Sequence, residues 1–101
     1  MIAVYYSPDG MTKQQYETVT REMSALGEAG KLAGKPPVHH SCFGEDGNLM
    51  VFEIWPSQQD FDATWPELSA QIKGAGVNLS RDPDVMPVVG LMQEAHEPFG
   101  V

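Results

Sequence analysis

The chain has almost no cysteine and few basic residues. Cys42 is the single cysteine. It cannot form an internal disulfide, which excludes a secreted scaffold stapled by disulfides. Six Lys and Arg stand against 14 Asp and Glu, a formal charge of −8. Phosphate backbones and anionic headgroups attract basic surfaces, so neither nucleic acid nor a membrane surface is an expected partner. No apolar run approaches the ~20 residues of a membrane span. The opening residues Met1-Ile2-Ala3-Val4-Tyr5-Tyr6 carry no basic region. No signal peptide is expected, and the cytoplasm is the expected compartment. A glycine-rich phosphate loop and a Ser-His-Asp spacing are also missing.

What is present is an ordered alternation of elements. At 101 residues and 42% hydrophobic composition the chain suits one globular domain. Its core spans about residues 2–92, and a tail follows over 93–101. A β-branched and aromatic strand runs from Ile2 to Tyr6 and ends at the turn cluster Ser7-Pro8-Asp9-Gly10. Thr12 with Gln15 forms a capping-box pattern for a first helix. Tyr16, Val19, Thr20, Met23 and Leu26 follow at helical spacing. A second strand is predicted over Val38 to Phe43 and a third over Leu49 to Trp55. The Gly44–Asn48 cluster joins them as a hairpin turn. Ser57 with Asp60 caps a second helix carrying Phe61, Trp65, Leu68 and Ile72 on one face. Pro66 predicts a break in that helix near Trp65. A fourth strand is expected from about Met86 to Met92. This order specifies an α+β fold: a ferredoxin-like βαββαβ chain with a four-stranded antiparallel sheet and two helices on one face.

Alternation along the third strand sends Leu49, Val51 and Trp55 one way and Met50, Phe52 and Ile54 the other. Both sides are therefore apolar, while two helices cover only one. An uncovered apolar face of that size is unusual on a monomer. A second copy stacked sheet to sheet covers it, so a homodimer is expected.

The junction Glu53-Ile54-Trp55-Pro56-Ser57, with Phe61 four residues beyond Ser57, resembles the acidic-apolar-Trp-x-Ser junction and following aromatic of antibiotic-biosynthesis-monooxygenase-like proteins. These belong to the dimeric α/β barrel superfamily. The resemblance extends through the element order to residues 2–92. It implies a dimeric α/β barrel and, in the cofactor-free members, oxygenation of an apolar aromatic or polyketide-like molecule. The haem-degrading relatives place a histidine ligand on the second helix. None lies between Ser57 and Lys73, so no haem and no other cofactor is expected.

The candidate catalytic residues are His39 and His40, which interrupt a core-like strand. As neighbours they face opposite sides. The imidazole that enters a pocket can move protons near neutral pH. His40 is preferred because it lies deeper in the strand, although register is not readable here. Adjacent histidines in a strand do not converge on one ion, and His96 is distant, so no metal is expected. Trp55, Phe52, Met50, Tyr6 and Trp65 are the expected walls of a pocket between sheet and helices. Glu53 has two readings: a buried base with a raised pKa, or, as preferred, a carboxylate at the sheet edge or paired with Arg21, Lys73 or Arg81. Cys42 reads as a buried, inert thiol. Two functions follow: a cofactor-free enzyme acting on an apolar small molecule, or a non-catalytic dimer that binds a small molecule or a protein.

Overall fold

The computed structural model describes residues 1–92. The expected behaviour of the tail, and His96 within it, lies outside the described residues. The order is β1 (Ile2–Tyr6), α1 (Lys13–Glu28), β2 (His39–Glu45), β3 (Asn48–Trp55), α2 (Gln58–Gly74) and β4 (Asp84–Pro87). The strands form one antiparallel sheet in the order β2-β3-β1-β4. This is the ferredoxin-like α+β arrangement.

Both helix starts are capped by side chains. Thr12 accepts from the Gln15 N–H, and the Gln15 side chain accepts in return from the Thr12 N–H. Ser57 accepts from the Asp60 N–H. These bonds satisfy amide groups that a helix end leaves without partners.

α2 continues through Pro66, against the expected break. An interior proline costs about 3 kcal/mol. Phe61 and Thr64 are buried before it, and Leu68 and Ile72 after it. Burial of Leu68 and Ile72 at about 2 kcal/mol each outweighs that cost. Pro66 and Asp62 are both exposed, so the Asp62 carbonyl that loses its intrahelical donor can bond water.

The β2–β3 hairpin is tighter than the five-residue turn expected from composition. Glu45 pairs with Asn48, leaving Asp46-Gly47 as the turn, with Gly47 at φ 89°. β4 starts at Asp84 and stops at Pro87, short of the expected Met92. Proline has no N–H for the ladder, and the next amide, Val88, donates to the Met1 carbonyl.

Register fixes the faces. Val4 pairs with Glu53 and Val85, and Glu53 pairs with His40. Val4, Tyr6, Val51, Trp55 and Leu49 join Phe61, Leu68 and Ile72 of α2 in the core under the helices. Met50, Phe52 and Ile54 point to the opposite side.

Candidate functional site

α1 does not settle onto the sheet. Val19 is the one buried residue of its 16. Its apolar stripe instead roofs a cavity of about 520 Å³, floored by β1, β2 and β3 and walled by α2. The loop between α1 and β2 closes one side with Leu32, Gly34, Pro36 and Pro37. Gly34 lies so near α2 that a methyl group there would collide with the Asp60 carbonyl and the Thr64 hydroxyl. The Lys35 N–H donates to Asp60 Oδ1 at 3.0 Å and pins the same loop.

One polar chain interrupts the apolar wall. Glu53 of β3 is buried and lies directly opposite His40 of edge strand β2. Its Oε2 is 2.8 Å from His40 Nδ1. Its Oε1 accepts from the Tyr6 hydroxyl at 2.6 Å and from Trp55 Nε1 at 3.1 Å. His40 Nε2 is 2.6 Å from the Tyr16 hydroxyl, and the two rings stack with centroids 5.8 Å apart. A carboxylate only accepts. His40 therefore donates from Nδ1, and in the neutral imidazole Nε2 is left to accept from the Tyr16 hydroxyl. The sequence Glu53–His40–Tyr16 is thus a carboxylate–imidazole–phenol relay, with the phenol facing the cavity.

Local folding explains why these groups meet. Tyr16 sits in the first turn of α1, whose start is tied to the hairpin. The Lys13 N–H donates to Asp46 Oδ1 at 2.9 Å, and the Leu49 N–H donates to the Met11 carbonyl at 3.1 Å. The hairpin that carries His40 and Glu53 therefore also locates the helix that carries Tyr16.

Electrostatics keep both phenols protonated. Burial, then the charge of Glu53, then its hydrogen bond raise Tyr6 far above its ordinary 10.0. Burial, then the charges of Cys42 and Glu53, hold Tyr16 above the same value. Burial also raises the half-buried Cys42 thiol, against a smaller opposite effect of a backbone bond at Phe43. Cys42 is therefore a poor nucleophile at neutral pH.

The expected site residues divide. His40, Tyr6 and Trp55 come together at the cavity. Register places His39 on the other face, against Phe52 with centroids 5.8 Å apart and 3.2 Å from Ser41 Oγ. Met50 and Phe52 also lie on that face and do not wall the cavity; Met50 Sδ accepts from the Tyr5 hydroxyl. Trp65 packs on Phe61, which packs on Trp55. It lines a separate surface depression rather than the cavity.

Glu53 departs from its preferred reading. It is neither at the sheet edge nor paired with Arg21, Lys73 or Arg81, but is buried and bonded to Tyr6, His40 and Trp55. Tyr16 was readable as part of the α1 stripe, and its position three residues after a well-capped start was the available signal. Among the described residues, no group of three His, Cys, Asp or Glu is placed to hold a metal. No helix there is long and apolar enough to cross a membrane.

No protein-family model matches the chain, and no curated protein or solved structure matches it either.

Proposed function

We propose that the protein is an acid–base enzyme acting on an apolar small molecule held beneath α1, without a bound cofactor. The carrying observation is the unbroken Glu53–His40–Tyr16 relay ending at an apolar cavity. A cavity of a few hundred Å³ with a small number of convergent polar groups is the usual form of a ligand site. In the first step the Tyr16 oxygen takes a proton from the substrate while its own proton passes to His40 Nε2. The resulting imidazolium lies 2.8 Å from Glu53, which stabilises it. The substrate is left as an anion beside a neutral phenol donor. If that anion is electron-rich, dioxygen is its natural acceptor, as the resemblance to the cofactor-free oxygenases implies.

Proton transfer is separable from oxygenation. Anthrone in oxygen-free heavy water exchanges its methylene hydrogens through the anion, and NMR reads the rate. The protein is expected to accelerate this exchange, and His40→Ala to remove about 100-fold of the acceleration. His39→Ala is the control and leaves the rate unchanged. No acceleration by the protein would leave a ligand-binding protein as the surviving reading, and an undiminished accelerated rate in His40→Ala would overturn the relay.

The same reading takes the chain as a homodimer. Phe43 and Met86 are 44 and 49% exposed. Both belong by register to the face away from the helices, beside half-buried Tyr5, Met50 and Phe52. A second copy of that face is a partner of matching apolar chemistry.

A further inference from the structure

The chain has six cationic side chains: Lys13, Arg21, Lys31, Lys35, Lys73 and Arg81. All six are exposed, and none lines the cavity. Residues 93–101 contain no Lys or Arg. Among the described residues, the one acidic side chain in the lining is Glu53, whose two oxygens already serve Tyr6, Trp55 and His40. Among the described lining residues only His40 can take up a positive charge, and it does so 2.8 Å from Glu53, so the pair presents no net positive charge to an anionic ligand; with the imidazole neutral, Glu53 repels one. The polar end instead offers a phenol with lone pairs free to meet one weakly acidic O–H or C–H.

We infer that the cavity selects uncharged weak acids and rejects carboxylates, phosphates and sulfates of the same shape. This rests on the cavity being the ligand site of the proposed function and names the substrate class it takes. Size follows from the cavity, and charge selection follows from Glu53. Two like charges ~8 Å apart at an effective dielectric of ~20 repel enough to weaken binding about 30-fold.

The test uses two probes with one ring system: 2-naphthol, neutral at neutral pH, and 2-naphthoate, anionic there. Titration calorimetry on the full chain reads each affinity without turnover, so failure of the exchange reaction leaves this result intact. Naphthol is expected to bind about 30-fold more tightly, and Glu53→Gln to shrink that ratio to about threefold or less. Should Glu53→Gln not fold, Met23→Lys places a cation on the cavity wall, and naphthoate is then expected to gain about tenfold. Equal or tighter binding of naphthoate by the natural chain overturns the inference. So does an unchanged ratio in Glu53→Gln, no gain in Met23→Lys, or no heat from either probe at millimolar concentration.

Discussion

His39 and His40 are neighbours in one strand, yet they occupy different chemical worlds. His40 is joined to a buried carboxylate and a phenol at the wall of a cavity. His39 rests against Phe52 and Ser41 on a face that no helix covers. Both faces are rich in apolar side chains. The helix face differs in having Glu53 at its centre, supplied with donors from β1, β2 and β3 itself. Apolar surface alone therefore does not mark a site on this sheet. A polar chain whose members satisfy one another within apolar walls does, and such a chain holds its geometry because each unmade bond is costly.

Removing the centre of that chain has the largest expected effect. Glu53→Ala strands the Tyr6 hydroxyl and the Trp55 N–H inside the core. The expected loss is about 3 kcal/mol in urea unfolding. Phe52→Ala, one position along on the other face, is expected to cost clearly less in a monomer. Equal losses would erase the distinction between the faces. The next effect belongs to the open face: Phe43→Asp puts a charge into the expected contact between copies. Sedimentation should show a shift from dimers to single chains with naphthol binding retained. An unchanged dimer would mean that this face is not the contact.

A smaller effect appears in alkali. Tyr6 holds its proton in the folded state far above 10.0 because of burial and Glu53, whereas the unfolded chain releases it near that value. Above that pH the folded state binds more protons than the unfolded one, so stability falls as pH rises. The Tyr6 contribution is fully present below the unfolded value and is lost as pH climbs toward the folded one. Urea midpoints should decline through the alkaline range in the natural chain and decline less in Tyr6→Phe. Parallel slopes would show that other groups govern the alkaline limb.

The fold was largely legible because it rests on local signals. β1 spans Ile2–Tyr6 as its composition implies, and Thr12 and Ser57 cap their helices as their spacing implies. The departures are places where distant contacts outvote local rules. Pro66 stays helical because buried residues flank it on both sides. The hairpin turn shortens because pairing extends through Gly44 and Glu45, which composition alone assigns to a loop. Of the site, the histidine pair was readable, and the alternation that separates Trp55 from Met50 and Phe52 was readable too. The partners of Glu53 were not. They depend on how three strands align, and no single strand encodes that alignment.

The Asp46-Gly47 turn has a consequence of its own for the chemistry. It sets the count by which position 40 meets position 53, and a strand slipped by one residue turns every side chain over. Delete one residue near the bend, and His39 would swing in to meet Glu53 while His40 turned out to the bare side. Insert one, and Ser41 would stand there, with an alcohol where the imidazole had been. The identity of the base is thus written as a length, at a bend several residues from the atoms that would exchange the proton.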